Sequence, residues 1–148
     1  MKEKLLISAC LCGQNTKYNG KNNLIDRIEE LKNHFEFILI CPEVMGGLST
    51  PRNPSEIKGD KVVSNQGKDV TMEFTKGASK AKEIVLNQNI KYALLKEASP
   101  SCGVHQVYDG TFSGTKIFGQ GITTKLLLEQ GVLVFNECEV DQLLNLVE

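Results

Sequence analysis

Residues 4–9 of the chain read KLLISA, a short and almost uninterrupted apolar run that ends immediately before Cys10. Three further runs have the same character: Phe35 to Ile40, Ile90 to Lys96 and Val132 to Phe135. Continuous apolar runs of this length are typical of strands that are covered on both faces, as in a parallel sheet. The sequence therefore predicts about four buried, mainly parallel strands.

Helical patterns separate these runs. One begins after Asn22 and Asn23, which are the types of residue that cap helices, and a second begins after Asp69. A third is expected from Ile122 to about Gln130, and a last amphipathic stretch carries Val140, Leu143, Leu144 and Val147. Alternation of strands and helices predicts an open, doubly wound α/β sheet with helices on both faces, a three-layer arrangement of the Rossmann-like or flavodoxin-like kind. We expect a single domain over residues 1–148.

Composition excludes several classes of protein. The 148 residues are 41% hydrophobic and 24% charged, and 17 basic residues balance 18 acidic ones to a net charge of −1. This balance argues against long nucleic acid as a partner, since the sequence lacks a run of Lys or Arg to neutralise phosphates. Its apolar runs are far shorter than the ~18 residues of a membrane span. The apolar stretch before Cys10 is also too short for an export signal, so we expect a cytoplasmic protein with reduced cysteines.

Three of the five cysteines follow predicted strands. Cys10 ends the first strand, Cys41 ends the second, and Cys102 lies a short turn beyond the third. Because ligands of open parallel sheets bind outside the carboxyl ends of the strands, the fold itself is expected to bring these thiols to one edge. Cys12 and Cys138 have no such position and are interpreted as ordinary small apolar residues. The sequence therefore predicts a metal or cluster site with three thiolate ligands.

The identity of the metal stays open at this point. Soft thiolates favour zinc, copper(I) or iron-sulfur clusters. Structural zinc would normally have a fourth Cys or His in a closely spaced knuckle, which the sequence lacks; His34 and His105 are the remaining candidates for a fourth ligand. Two alternatives follow: a [4Fe-4S] cluster in which one iron has no protein ligand and acts as a Lewis acid, or zinc held by three cysteines with an open position.

Several polar residues stand close to these cysteines in the sequence. Glu43, two residues after Cys41, is the candidate general base. Ser101, adjacent to Cys102, is the candidate hydroxyl donor and is preferred to Ser99. Gly119-Gln120-Gly121 lacks the complete fingerprint of a nucleotide-binding loop, so a nucleotide cofactor is not expected. The expected substrate-binding residues are Ser8, Tyr18 and Arg52, with Tyr108 and Asp109 as further possible contacts.

An ordered set of motifs covers nearly the whole chain: SACL at 8–11, CPEVMGGL at 41–48, PR at 51–52, GKDVT at 67–71, SPSCG at 99–103 and YDGTF at 108–112. Together these motifs resemble the thiouracil desulfidase family. The resemblance implies a [4Fe-4S] enzyme that removes sulfur from thiolated pyrimidines without net redox change. Cys10, Cys41 and Cys102 match its three cluster ligands, Glu43 its acid/base carboxylate and Ser101 its assisting hydroxyl.

The resemblance also predicts what the site does and with what partner. The open iron would bind the sulfur of a thiolated base or nucleoside, Glu43 would direct water at the adjacent carbon, and hydrogen sulfide would leave. Such a cluster would be sensitive to oxygen. Many relatives have a further Cys shortly before the Tyr-Asp-Gly element near the N-terminus, where this chain reads NTKYNG at 15–20, so that thiol is not needed here. The alternatives are a three-cysteine zinc hydrolase and a non-enzymatic iron-sulfur or sulfur-carrier module.

Overall fold

The four apolar runs form one parallel sheet in the computed structural model, which describes residues 2–147. Over those residues the strands are β1 (Glu3–Ser8), β2 (Phe35–Ile40), β3 (Ser55–Lys58), β4 (Lys61–Ser64), β5 (Tyr92–Leu95), β6 (Gln106–Tyr108), β7 (Lys116–Phe118) and β8 (Leu133–Asn136). The helices are α1 (Ile28–His34), α2 (Pro42–Met45), α3 (Thr71–Gln88), α4 (Ile122–Glu129) and α5 (Val140–Asn145), and a 3-10 turn covers Ala9–Cys12.

Strand order explains where a ligand would bind. The sheet has the strand order β2-β1-β5-β8, and every pairing is parallel. β1 therefore pairs with β2 on one side and with β5 on the other. The strand order therefore reverses between β1 and β5. In open α/β sheets such a reversal opens a crevice at the carboxyl ends of the strands. Cys10 and Cys102 follow the two strands that flank this crevice.

Helices cover both faces of the sheet, as the sequence predicts. On one face, Leu6, Ala93 and Leu95 pack with Ala81 and Val85 of α3 and with Leu127 of α4. On the other face, Leu5, Ile7 and Leu94 pack with Leu31 of α1 and with Leu143 of α5. Leu5 and Ile7 face one core and Leu6 faces the other, which is why all three of these residues in β1 are apolar.

One expectation about local structure was wrong. The first helix begins at Ile28 and not after Asn23, and Leu24 is exposed. Beyond the four predicted strands, the long segments after β2 and β5 contain α2 and two antiparallel hairpins, β3–β4 and β6–β7. Strands of three or four residues are too short to show a clear alternation of apolar and polar residues. Within residues 2–147, the structure has no helix that is long and apolar enough to cross a membrane.

Gly77 lets α2 lie directly against α3. A Cβ atom at this position would stand 1.8 Å from the carbonyl oxygen of Pro42, and one at Gly46 would stand 1.9 Å from that of Glu73. The contact thus depends on two glycines that face each other's helix. Gly77 lies in the interior of an 18-residue helix, where glycine costs about 1 kcal/mol relative to alanine. The close approach explains why glycine stands there, and it fixes the position of α2 at the end of β2.

Candidate functional site

Cys10 lies in the 3-10 turn that immediately follows β1. Gly13, at a φ of 91°, ends this turn, and its N–H donates to the Cys10 carbonyl. The side chain of Asn23 donates to Cys10 Sγ at 3.4 Å, and its backbone N–H donates to the Cys10 carbonyl at 2.9 Å. Asn23 is therefore a support of the thiol and not a helix cap, which corrects the role expected for it.

Cys41 and Glu43 are placed together by the junction between β2 and α2. Cys41 is the residue before the helix and Pro42 is its first residue, a position where proline is well tolerated. Glu43 Oε1 accepts a hydrogen bond from Arg52 Nε at 3.2 Å, and Oε2 accepts one from Ser99 Oγ at 3.3 Å. Both carboxylate oxygens are thus oriented by partners from other loops.

The Cys102 turn is held by the hydroxyl of Ser99. Ser99 Oγ accepts the N–H groups of Ser101 and Cys102, both at 3.1 Å, while it donates to Glu43. One side chain therefore joins the turn that carries Cys102 to the candidate base. Ser101 Oγ is fully buried and pairs with Thr123 Oγ1 at 2.8 Å. Ser99, which the sequence ranked below Ser101, is the hydroxyl in contact with Glu43.

The start of α4 supports the turn that carries Cys102. The first N–H groups of α4 donate to backbone carbonyls of the turn, Ile122 to Pro100 and Thr123 to Ser101, both at 2.9 Å. A Cβ atom at Gly121 would lie 2.3 Å from the Ser101 carbonyl oxygen. The Gly119-Gln120-Gly121 segment therefore packs against the Cys102 turn. The first N–H groups of α4, which follow this segment, already donate hydrogen bonds within the protein.

Glu97 fixes the far side of the turn. Its carboxylate accepts the N–H groups of Val104, His105 and Gln106 and the side-chain amide of Asn136, at 2.6 to 3.2 Å. Burial acts to raise the pKa of Glu97, but the hydrogen bonds from Asn136 and from the backbone outweigh it, and the pKa lies below its usual value. Glu97 is thus an ionised carboxylate that accepts hydrogen bonds from backbone N–H groups of the Cys102 loop.

The three thiols lie close enough to influence one another's ionisation. Burial raises the pKa of Cys102, and negative charge at Cys41, Glu43 and Cys10 raises it further. Burial also raises the pKa of Cys10; the hydrogen bond from Asn23 opposes this effect, and charge at Cys41 adds to it. Among residues 2–147, the structure shows no group of three His, Cys, Asp or Glu side chains arranged to hold a single metal ion. A cluster does not need such a group, because it binds each thiolate at a different iron.

Arg52 is a buried clamp beside Glu43. Besides the ion pair with Glu43, its guanidinium donates to the carbonyls of Thr16 at 2.9 Å and Ser49 at 3.2 Å and to Thr50 Oγ1 at 3.0 Å. Its side chain is only 8% exposed. Arg52 therefore ties Glu43 to the loop that follows Cys10.

The other residues predicted to bind substrate are placed around the same edge. Ser8 is buried; its hydroxyl accepts the Lys96 N–H at 3.0 Å, and its side chain forms a hydrogen bond with Cys102 that acts to lower the Cys102 pKa. Tyr18 is 44% exposed, and its carbonyl accepts the Arg52 N–H at 2.7 Å. Arg52 and Ser8 thus already support the site, whereas the Tyr18 ring is free to meet solvent. Their contact with substrate stays a prediction.

The two histidines and the two remaining cysteines have surroundings that differ from those of the three thiols. His105 Nε2 contacts Glu139 Oε2 at 2.9 Å. His34 lies at the amino end of β2, opposite the edge that carries the thiols. Burial raises the pKa of Cys12 to about 11, and Cys138 is exposed. His34 is thereby set apart from the three thiols. Cys138 lies two residues beyond the carboxyl end of β8 and therefore on the same edge of the sheet as the thiols, which corrects the expectation that it has no such position.

A cavity of about 540 Å³ opens next to Arg52. Its lining includes the polar residues Ser49, Asn53, Gln66 and Lys68, but none of the three thiols and not Glu43. Ligand pockets for small molecules commonly have volumes of 300 to 1,000 Å³. The cavity is therefore large enough for a small molecule.

The sequence predicts the three thiols and Glu43 as site residues, and that assignment stays a prediction. It places Ser99 second to Ser101, because Ser101 is adjacent to Cys102. Asn23 and Glu97 gave no signal, since an isolated Asn or Glu between apolar runs reads as an exposed residue or a cap. Their partners are backbone groups and a thiol brought near by the fold.

The chain is similar in sequence and in structure to known proteins. A model of the family described as 2-thiouracil desulfurase matches residues 5–139. The chain is 39% identical over 150 residues to the uncharacterized protein YbbK of Bacillus subtilis (strain 168), with 95% of this chain and 99% of the relative covered. It is similar to the solved structure of the [4Fe-4S]-dependent thiouracil desulfidase TudS, at 44% identity and a TM-score of 0.90 over 95% of each chain. The similarity confirms the predicted fold.

Proposed function

Because the chain belongs to the 2-thiouracil desulfurase family, we propose that it is a [4Fe-4S]-dependent desulfidase that converts thiouracil to uracil and hydrogen sulfide. The observation that supports this proposal is that three thiols and an oriented carboxylate lie at one edge of the sheet, close enough for charge at Cys41, Glu43 and Cys10 to act on Cys102. Cys10, Cys41 and Cys102 are the proposed cluster ligands. The overall reaction replaces a C=S bond by a C=O bond with the oxygen of water, so it needs no external electron donor or acceptor.

The donor set fits the cluster. Three soft thiolates are the ligands that iron-sulfur clusters prefer, and each thiol comes from a separate loop at one edge of the sheet. Burial raises the pKa of Cys10 and Cys102, and charge at Cys41 raises both further, so a bound cation would favour the thiolate forms. When bound, a cluster with three protein ligands supplies one iron that can act as a Lewis acid towards the substrate sulfur.

Glu43 is the proposed general base. It would take a proton from water as the water oxygen attacks the carbon that bears sulfur, and the same proton is then available for the departing sulfide. Arg52 and Ser99 hold its two oxygens. This orientation supports the role, because proton transfer requires the carboxylate to be held within hydrogen-bond reach of the water.

Ser99 is the hydroxyl that the geometry favours as the partner of Glu43. It contacts the carboxylate directly, whereas Ser101 Oγ is engaged with Thr123. A single donor aimed at developing charge contributes typically ~10² to 10³ in rate. The role predicted for Ser101 stays a prediction, which the comparison of the two serine variants tests.

The substrate is proposed to be a small thiolated base or nucleoside. The cavity beside Arg52 has room for either, and Ser49, Asn53 and Gln66 in its lining can form hydrogen bonds with a heterocycle. All five cysteines are free thiols, which agrees with the expected reducing, cytoplasmic compartment. Parallel turnover assays with the thiolated free base, nucleoside and nucleotide measure which of the three is the preferred substrate.

The first experiment measures metal content and turnover on anaerobically reconstituted protein. We expect about four irons and four sulfides per chain, with uracil and sulfide formed from 2- or 4-thiouracil in equal amounts. Cys→Ser variants of Cys10, Cys41 and Cys102 should lose both the cluster and turnover, while Cys12→Ser and Cys138→Ser keep both. Zinc with hydrolytic activity would instead indicate a zinc hydrolase, and a cluster without turnover would indicate a carrier.

The second experiment separates ligation from catalysis. Glu43→Gln should keep the cluster and lose ~10² to 10⁴ in turnover per cluster. Ser99→Ala should lose less, and Ser101→Ala serves as its matched control in the same turn. If Ser101→Ala loses more than Ser99→Ala at equal cluster content, the assignment of the hydroxyl returns to Ser101.

A further inference from the structure

Lys96 is a half-buried cation at the carboxyl edge of the sheet that the proposed reaction leaves unused. It is the residue that directly follows β5. Because β1 pairs in register with β2 on one side and with β5 on the other, Cys41 and Lys96 stand at the same level on either side of the end of β1. The Lys96 N–H donates to Ser8 Oγ at 3.0 Å, which fixes this position. Lys96 therefore borders the crevice between β1 and β5.

The ammonium group of Lys96 is held in place and still has a donor to offer. Nζ donates to Glu137 Oε2 at 2.6 Å and, at the longer distance of 3.4 Å, to the Glu97 carbonyl. Glu137 Oε1 accepts the Glu97 N–H at 2.8 Å, so the carboxylate that holds the ammonium is itself fixed. An ammonium group has three N–H donors, and these contacts within residues 2–147 use two of them. Since the side chain is 31% exposed, the third donor can reach a ligand.

Two observations place this ion pair beside the three thiols. The Ser8 hydroxyl, which accepts the Lys96 N–H, also forms a hydrogen bond with Cys102. Burial is the main cause that raises the pKa of Cys10, but the charges of Lys96 and Glu137 also act on that pKa, in opposite directions. The pair therefore lies within electrostatic range of Cys10. A molecule bound among the thiols would have the Lys96 ammonium on its β5 side.

A thiolated pyrimidine offers this cation a suitable acceptor. Besides its C=S group at C2, 2-thiouracil has a ring carbonyl at C4, and the two groups are far enough apart on the ring to be bound at the same time. We propose that Lys96 is a substrate-binding residue whose ammonium group donates a hydrogen bond to the ring carbonyl oxygen of a thiolated pyrimidine. This inference rests on the proposed function, because it names a contact of the same substrate. A hydrogen bond from a charged donor is among the stronger ones, and it would orient the ring while the sulfur lies at the thiols.

The test compares two substrates that differ in this carbonyl. 2-Thiouracil carries it, whereas 2-thiopyrimidine has the same C=S group and lacks the carbonyl. The values of kcat/KM for both are measured on anaerobically reconstituted wild type and Lys96→Met. The variant should lose about 10- to 100-fold on 2-thiouracil, mostly through KM, and much less on 2-thiopyrimidine. Because the ratio of the two values is taken on one sample, it does not depend on how much of that sample is folded or loaded.

Two further variants sharpen the comparison. Lys91→Met is the matched control, because Lys91 is exposed and precedes β5 at the opposite edge of the sheet; it should keep the wild-type ratio. Lys96→Arg keeps a charged donor and should retain part of the preference for 2-thiouracil that Lys96→Met loses. If Lys96→Met loses the same factor on both substrates, the inference is overturned, because Lys96 then acts only through its ion pair with Glu137.

Binding of the product gives a readout without turnover. Uracil keeps the ring carbonyl and has no sulfur, and its dissociation constant is measured by equilibrium dialysis against reconstituted wild type and Lys96→Met, with iron per chain determined on the same samples. We expect about 10- to 100-fold weaker uracil binding by Lys96→Met at unchanged iron content; equal affinities overturn the inference. If the wild type converts neither thiolated substrate, the proposed function is wrong, and uracil dialysis then decides this inference on its own.

Discussion

Replacing Gly77 with alanine tests whether the contact between α2 and α3 positions the site. On an isolated helix this change stabilises by up to about 1 kcal/mol, because alanine is the better helix former. Here the new Cβ would stand 1.8 Å from the Pro42 carbonyl oxygen, whereas real Cβ contacts stay beyond 3.0 Å. The two helices must therefore separate by more than 1 Å. Because the obstructing atom is backbone, no side chain can simply move aside.

The separation has an energetic and a catalytic consequence. Overpacking of this kind costs typically 1–3 kcal/mol, so after the gain in helix propensity the net loss of stability is up to about 2 kcal/mol. For a chain of this size the melting temperature should fall by up to about 8 °C. Pro42 stands between Cys41 and Glu43, so both move with it. A displacement of 1 Å at reacting groups can cost ~10² in rate.

The assay measures melting temperature, iron per chain and turnover per cluster for Gly77→Ala. Ser79→Ala, at an exposed position of the same helix, is the matched control and should be neutral or slightly stabilising. A Gly77→Ala protein that is as stable as the control, with full turnover, would refute the claim that this close approach sets the position of Cys41 and Glu43.

Three further predictions concern the supports of the site. Arg52→Gln should lower kcat by about 10²-fold with a smaller change in KM, because the guanidinium orients Glu43; a rise in KM at constant kcat would instead make Arg52 a substrate contact, as the sequence suggested. Glu97→Gln should destabilise the protein at neutral pH, since an amide cannot accept the same set of N–H groups. In the folded protein the pKa of Glu97 lies below its ordinary value of 4.5. The stability that Glu97 contributes is therefore complete above pH 4.5 and is lost as pH falls through the folded pKa. Denaturant titrations of wild type and Glu97→Gln should accordingly converge in acid. Exposure of the reconstituted protein to air should bleach its absorption and abolish turnover, and anaerobic iron and sulfide should restore both; full activity of iron-free protein in air would contradict the cluster.

The sheet was predictable because its signal is local and repeated. Each strand is a short apolar run, and all four runs became parallel strands, with β2 matching its predicted bounds. The α1 helix was misplaced because Asn22 and Asn23 use the same chemistry to form a turn as to cap a helix. Asn22 Oδ1 accepts the Leu24 N–H, and Asn23 turns inward to Cys10. Whether such an asparagine caps a helix or forms a turn depends on its tertiary contacts, and these contacts cannot be read from the sequence.

The thiols of the site were predictable from the fold rule, and the hydrogen-bonding residues were not. Any strand-end residue of a parallel sheet reaches the same edge, so Cys10, Cys41 and Cys102 could be grouped without side-chain detail. The choice between Ser99 and Ser101 depends on the direction of each hydroxyl within one tight turn. That direction is set by Thr123, which is 22 residues further along the chain, and a pattern confined to SPSCG contains no information about it.

The separation of the three ligands over three loops determines how the ligand variants should behave. Cys10 is supported by Asn23, Cys41 by the start of α2, and the Cys102 turn by Ser99, Glu97 and the start of α4. Each support is made of hydrogen bonds within the polypeptide, and the two apolar cores on either face of the sheet lie beneath them. The chain is therefore expected to fold without the proposed cluster, unlike small metal-dependent domains. Loss of one thiol should accordingly remove the cluster and leave the fold, which makes iron bound per folded chain an independent measure of ligation.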